Sequence, residues 1–366
     1  MIALLVLPIN VSASTDSAKS ICVINAVTGE VVFEKDSQSQ RSMASTTKIM
    51  TLITALENSD LDDVVTVCDE APYTEGSSAY LKAGAKISMR DVLYGLMLNS
   101  GNDAAVAVAY HISGGTDNFA DLMNKTAGDI GVKNTNFKNP NGLEEEGHYT
   151  TAYDLALITQ YTMRNNDFKS IVSSGSYTAS MELADGTYEN IEYINHNKLL
   201  KDIDGCIGVK TGFTKAAGRC LVSATQRDGA MYIVVTLNDT DDWNTHKILH
   251  EQAYSSQIYT PVVKKGDCIK HLVSGEEECG LITAEGYGVY TSSKGGHDFE
   301  VIPHIPQNTD IPINKGEKIG YAEIKLNNRA IGTVDIVADK DFAPSDSVKL
   351  KNCFMFTLTT VLRNLL

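Results

Sequence analysis

Strand-like runs sit at both ends of the first 257 residues of this chain, and a long helical stretch separates them. Residues 21–25 and 30–34 are rich in β-formers and are joined by a turn containing Thr28 and Gly29, which predicts a hairpin. Residues 206–211, 219–226 and 231–237 are β-branched runs split by glycine-containing turns, which predicts a three-stranded meander. Between them, residues 43–57, 88–98, 104–112, 117–129 and 151–163 carry apolar positions at helical spacing; Ile49, Leu52, Ile53 and Leu56 are one such stripe. Residues 243–255 close the region with another helix. Strands so far apart pair only if the end of the region folds back onto its start. The prediction is an α+β domain with a five-stranded antiparallel sheet, helices covering it and an all-helical insertion.

Within that pattern, three short motifs occur once each and in order. They are Ser45-Thr46-Thr47-Lys48, Ser100-Gly101-Asn102 and Lys210-Thr211-Gly212. Ser45 is the only serine three positions before a lysine, and Ser100 the only one two positions before an asparagine. A serine hydroxyl is a poor nucleophile until a base sits within about 3 Å. Residues i and i+3 of a helix share a face, so Lys48 reaches Ser45. An amine is a base only when neutral, and burial or a neighbouring cation lowers its pKa; Lys210 is the candidate cation. Ser100 is expected to relay a proton to a leaving amine, and Asn102 to hold Lys48 and a substrate amide. Backbone N–H groups of Ser45 and Phe213 are the expected oxyanion donors. Lys210 and Thr211 suit a terminal carboxylate, and Gly212 suits a substrate lying along the strand. Ser88 with Asp91, and separately Asp103, are expected to cap helices.

The remaining sequence bounds the class. The 366 residues suit two domains, and a formal net charge of −15 argues against a nucleic-acid partner. Residues 1–14 read as an export signal: an apolar run at 2–9, then Val11-Ser12-Ala13 as a cleavage site. Residues 15–257 form the first domain. Helical periodicity then stops, and short strands with Gly, Pro and Asn turns predict a small all-β domain over 258–340. Residues 341–348 read as a polar linker. Residues 349–366 read as an amphipathic helix with Leu350, Phe354, Leu358, Val361, Leu362 and Leu365 on one face, suited to lying in a membrane surface. Seven cysteines show no metal-ligand spacing, so no metal or cofactor is expected. Cys206 with Cys220 and Cys268 with Cys279 are candidate pairs; free thiols are the equal alternative. His148 is read as a loop histidine with a structural hydrogen bond, Trp243 as a packing residue and Glu144-Glu145-Glu146 as a solvated loop.

The motif set closely resembles that of the penicillin-binding proteins and serine β-lactamases. Within that superfamily it is most similar to the low-molecular-weight D-alanyl-D-alanine carboxypeptidases. The segments 43–51, 98–105 and 208–214 carry the likeness, together with Asn139-Pro140-Asn141-Gly142-Leu143 and Gly147-His148-Tyr149; segments 315–320 and 331–334 resemble the family's C-terminal β domain. The resemblance implies a transpeptidase/β-lactamase-like domain followed by a β sandwich, with the C-terminal helix as membrane anchor. It implies acylation of Ser45 by a peptidoglycan stem peptide ending in D-Ala-D-Ala, release of D-alanine and hydrolysis of the acyl-enzyme at the outer face of the cell membrane. β-Lactams are then expected to acylate the same serine. Some relatives carry an arginine where this chain has His196, between Asn195 and Asn197, and a polar residue where it has Phe213. A β-lactamase is the alternative enzyme, although the Glu-x-x-Leu-Asn segment of the class A enzymes is missing. A non-catalytic wall-binding or β-lactam-sensing module is the alternative outside enzymes.

Overall fold

The computed structural model describes residues 16–292, 297–306, 312–344 and 348–352. The export signal expected over 1–14 lies outside them. The chain divides into two compact units, Met1–Ser255 and Ser256–Leu366.

In chain order the first unit runs β1 (Ala18–Asn25), β2 (Val31–Lys35), a 3-10 turn (Ala44–Thr47), α1 (Lys48–Asn58), β3 (Val64–Thr66), β4 (Lys86–Ser88), α2 (Met89–Leu98), α3 (Asn102–Ser113), α4 (Thr116–Ile130), α5 (Ala152–Thr162), α6 (Asn166–Ser173), β5 (Ser176–Glu182), β6 (Tyr188–Ile194), α7 (Leu199–Asp202), β7 (Cys206–Thr214), β8 (Gly218–Arg227), β9 (Ala230–Asp239) and α8 (Asp242–Ser256). The principal sheet has the antiparallel order β2-β1-β9-β8-β7, so the N-terminal hairpin does pair with the C-terminal meander. Strand alternation gives each face its own cover. Ile24, Val222, Ile233 and Val235 pack with Ile49, Leu52, Leu155 and Ala156 of α1 and α5. Ser223, Thr225 and Thr236 point the other way and meet α8.

The insertion is not all-helical. β3, β4, β5 and β6 form a second, four-stranded antiparallel sheet. Two of these strands have three residues each, too short for alternation to register. Of the two expected caps, Ser88 accepts from Asp91 N at 3.1 Å, but Asp103 lies inside α3 rather than capping it. Neither candidate cysteine pair forms, because Cys206, Cys220 and Cys279 are free. The register places Cys206 opposite Thr225 and Cys220 opposite Gly212, so the first two never face each other.

Beneath α8 a polar chain is fully buried. Thr225 Oγ1, His250, Ser223 Oγ, His246 and Thr236 Oγ1 are linked by contacts of 2.9, 2.7, 2.6 and 3.0 Å. One hydrogen per link satisfies the chain when both rings are neutral. Burial holds His250 down to about 3 and His246 well below its ordinary range. An unfolded chain takes up these protons near pH 6.5. The native protein does not, so stability is fully present above pH 6.5 and falls as the pH drops toward 3. Two such histidines should cost roughly 4 kcal/mol between pH 7 and pH 5. Urea midpoints measured at the two pH values check this; equal midpoints would refute it.

The second unit is all-β. Its strands are β10 (Gln257–Val263), β11 (Cys268–Ser274), β12 (Glu277–Thr283), β13 (Tyr287–Ser292), β14 (Phe299–His304), β15 (Lys318–Leu326), β16 (Arg329–Ala338) and β17 (Lys349–Asn352). One antiparallel sheet has the order β14-β15-β16-β12-β11-β17, and β10 pairs with β13. Two expectations change here. Phe342, placed in a polar linker, is buried in the core with Leu272, Leu281 and Ile336 and bridges to Ile313. Residues 349–352, placed at the head of an amphipathic helix, pair instead with β11; the remainder of that segment lies outside the described residues. No helix among the described residues is long and apolar enough to cross a membrane.

Candidate active site

The three motifs meet at the edge strand β7. Ser45 lies in the 3-10 turn ahead of α1 rather than in the helix itself. In that tighter coil residues i and i+3 eclipse, which stacks Lys48 directly over Ser45. Lys48 Nζ is 3.1 Å from Ser45 Oγ. It also lies 2.6 Å from Asn102 Oδ1 and 2.7 Å from the Asn141 carbonyl oxygen. Asn102 Nδ2 donates to the Glu75 carbonyl at 2.6 Å, which fixes the amide with its oxygen toward Lys48.

This arrangement orients the amine. Asn102 Oδ1 and Asn141 O accept hydrogen bonds and donate none. They take two N–H groups, and the third direction faces a hydroxyl that is able to donate. A neutral Lys48 therefore turns its lone pair to Ser45. Burial lowers the Lys48 pKa well below its ordinary value, the Lys210 charge lowers it further, and Asp103 partly opposes them. Lys210 is buried, donates to the Thr211 carbonyl at 3.0 Å, and is itself brought down to about 7 by burial.

Backbone geometry holds the serine in place. Ala44 stands at φ +48° immediately before Ser45, and Ser100 at φ +59° in the loop between α2 and α3. Both lie in the left-handed region that non-glycine residues rarely adopt, and such residues cluster at functional sites. A side chain at Gly142 would collide with the Ala44 carbonyl. A Cβ at Gly212 would lie 3.0 Å from Ser45 N and 3.1 Å from Thr46 N. The close approach that Gly212 permits is thus between β7 and the nucleophile turn, in addition to any room it leaves for substrate.

Several residues of this site have partners that the sequence did not disclose. Asp103 braces the neighbouring loop, accepting from Ser78 Oγ, Ala79 N and Leu81 N at 2.6, 2.7 and 3.1 Å. The 139–148 loop wraps the nucleophile segment. Pro140 O accepts from Thr51 Oγ1 at 2.6 Å. His148 Nδ1 accepts from Lys138 N at 3.0 Å, so its Nε2 donates to Thr47 Oγ1 at 2.9 Å. Glu144, read as part of a solvated run, instead accepts from Ser42 Oγ at 3.0 Å and Thr214 Oγ1 at 2.5 Å. It ties the loop to the end of β7. The Asn-Pro-Asn-Gly turn was visible in the sequence; that its backbone carbonyl would serve Lys48 was not.

A cleft of about 320 Å³ opens over these groups, lined by Ser45, Ser77, Ser100, His196, Thr211, Gly212, Phe213, Arg219, Asp242 and Trp243. Partial burial and the Lys210 charge hold His196 below its ordinary pKa. Phe213 is exposed at the rim. Trp243 packs against Leu199 and Leu221 as expected, but it also faces the cleft. No cluster among the described residues is fit to hold a metal ion.

Comparison with known proteins gives this geometry its relatives. Residues 8–241 match the sequence family described as D-alanyl-D-alanine carboxypeptidase, and residues 259–343 match the one described as penicillin-binding protein 5, C-terminal domain. The chain is 31% identical over 340 residues to the D-alanyl-D-alanine carboxypeptidase DacF of Bacillus subtilis, covering 88% of this chain and 85% of that one. It is 35% identical over 243 residues to a D-alanyl-D-alanine carboxypeptidase of a Streptomyces strain, covering 63% of this chain and 84% of the relative. Among solved structures, the D-alanyl-D-alanine carboxypeptidase DacD of Francisella tularensis superposes with a TM-score of 0.65 at 27% identity, over 94% of this chain and 97% of that one. The Streptomyces K15 DD-transpeptidase S216A mutant superposes with a TM-score of 0.63 at 32% identity, over 65% and 98%. With one family model matching the unit that holds Ser45, Lys48 and the Lys-Thr-Gly strand and the other matching the β unit that follows it, this chain belongs to the serine D-alanyl-D-alanine carboxypeptidase family of penicillin-binding proteins.

Proposed function

We propose that this protein removes the terminal D-alanine from peptidoglycan stem peptides through an acyl-enzyme on Ser45. The observation that carries the reading is the setting of Lys48 Nζ: of its three hydrogen-bond partners among the described residues, Asn102 Oδ1 and Asn141 O only accept, and Ser45 is the one able to give it a proton. Lys48 accepts the hydroxyl proton as Ser45 Oγ attacks the penultimate carbonyl. Backbone N–H groups of Ser45 and Phe213 receive the oxyanion. Ser100 passes the proton on to the departing amine, and water then releases the shortened peptide by the reverse relay. Asn102 keeps Lys48 aimed, and Lys210 with Thr211 engages the substrate along β7. A β-lactam ring opens on the same serine.

Export and attachment at a membrane surface belong to the same reading. The apolar run at 2–9 supports export, and the apolar positions 354, 358, 361, 362 and 365 support attachment. Cell fractionation of the full chain against a truncation at 352 tests the second.

The chemistry has a direct test. Incubated with a stem pentapeptide, the protein should release free D-alanine, and Ser45→Ala should abolish both that release and labelling by fluorescent penicillin. Unchanged release or labelling in Ser45→Ala would contradict the assignment.

A further inference from the structure

A peptidase that removes a single C-terminal residue must recognise a carboxylate on the departing side of the scissile bond. The cleft contains a cation that the three motifs do not account for. Arg219 stands on β8 opposite Phe213, one position beyond Gly212 on the neighbouring strand. It lines the cleft together with Thr211, Gly212 and Ser45.

Its guanidinium is held from two sides. Nε and Nη2 lie 2.9 and 2.8 Å from the same oxygen of the buried Asp242. The indole of Trp243 lies beneath, with its centroid 5.7 Å from Arg219 Cζ. Lys198 Nζ stands 6.0 Å from the same ring. Asp242 occupies only one edge of the fork. Nη1 makes no hydrogen bond among the described residues, so the outer Nη1/Nη2 edge is open to a second, planar, two-oxygen acceptor. The other basic groups of the cleft serve less well as permanent cations. Lys210 is turned to the Thr211 carbonyl and His196 is held toward its neutral form, whereas a guanidinium stays charged at every working pH.

We propose that Arg219, seated on Trp243 and oriented by Asp242, is the carboxylate-binding residue of this cleft and takes the terminal carboxylate of the departing D-alanine. The inference rests on the carboxypeptidase reading and adds to it the residue that makes the enzyme select a free C-terminus. Arg219 supplies binding energy and registers the scissile bond against Ser45; it moves no proton.

The test compares a peptide ending in D-Ala-D-Ala with its C-terminal amide, and benzylpenicillin with its methyl ester. Arg219→Gln should lower kcat/KM for the free-acid peptide roughly 10- to 100-fold, mostly through KM. The amide should react at the wild-type rate, so the acid-to-amide preference collapses. Arg219→Lys should restore part of that preference, since it keeps charge but not the fork. The penicillin pair should follow the same pattern in acylation rate. Equal losses on acid and amide would mean that Arg219 only supports the fold, and an unaltered preference would mean that the carboxylate binds elsewhere; either result overturns the proposal. A wild-type protein that is acylated by penicillin but releases no D-alanine refutes the carboxypeptidase reading instead, and the penicillin pair then decides the role of Arg219 by itself.

Discussion

Replacing Lys48 by alanine should slow acylation of Ser45 by roughly 10⁴-fold or more, the scale on which serine hydrolases lose activity without their base. No substitute stands nearby. Among the described residues, no other titratable side chain hydrogen-bonds Ser45 Oγ. Lys210 is committed to the Thr211 carbonyl, and His148 to Thr47 and Lys138. The stability change should be much smaller. The substitution strands Asn102 Oδ1 and Asn141 O, each at about 1–3 kcal/mol if no water enters. It also relieves the protein of burying an amine whose charged form is strongly disfavoured there. Stopped-flow acylation by a chromogenic or fluorescent penicillin, read beside a thermal melt, separates the two effects. Residual acylation within tenfold of wild type in a folded Lys48→Ala protein would remove Lys48 from the role of base.

The same residues show what a sequence carries and what it withholds. The Ser45–Lys48 pair was legible because a single helical turn determines it, and the strand bearing Lys210 because the β-rich run at 206–211 announces it; the strand itself extends to Thr214. The five strands of the main sheet were legible because their apolar runs are long. β3 and β4 were not, since three residues hold no period. Asp103 was read as a cap because an acidic residue at a helix start is ordinarily one. Beyond a local bond from Ala104 N, its bonds go to Ser78, Ala79 and Leu81, partners supplied by the tertiary fold. Glu144 looked solvated because its neighbours Glu145 and Glu146 are acidic, yet Ser42 and Thr214 reach it from distant parts of the chain. Arg219 and Trp243 lie 24 residues apart and share no motif; only the pairing of β7 with β8 and the start of α8 bring them to one corner. Residues set by local geometry could be named in advance, while those set by long-range pairing needed the fold.

Asn102→Asp should convert the best-placed hydrogen-bond acceptor of Lys48 into its inhibitor. The wild-type amide presents an uncharged oxygen 2.6 Å from Nζ. A carboxylate there favours the ammonium form. Two unit charges 4 Å apart at an effective dielectric of 20 attract by about 4 kcal/mol, equivalent to about three pKa units. The sign is opposite to that of burial and of Lys210, both of which hold Lys48 toward its neutral form. The neutral fraction of the base, and with it the acylation rate at pH 7, should fall roughly 100- to 1,000-fold. The loss should shrink as pH rises, because the acid limb of the rate profile moves toward the ordinary lysine range. A second effect accompanies the first: Nδ2 no longer donates to the Glu75 carbonyl, so some stability is lost at every pH. That loss does not titrate with Lys48, which lets the pH profile separate the two. Asn102→Ala makes the contrast complete, since it removes the acceptor without adding charge. It should lower the rate by misdirecting the amine while leaving the acid limb near its wild-type position. If Asn102→Asp and Asn102→Ala gave superimposable pH profiles, the amine of Lys48 would not be the group whose proton governs the reaction.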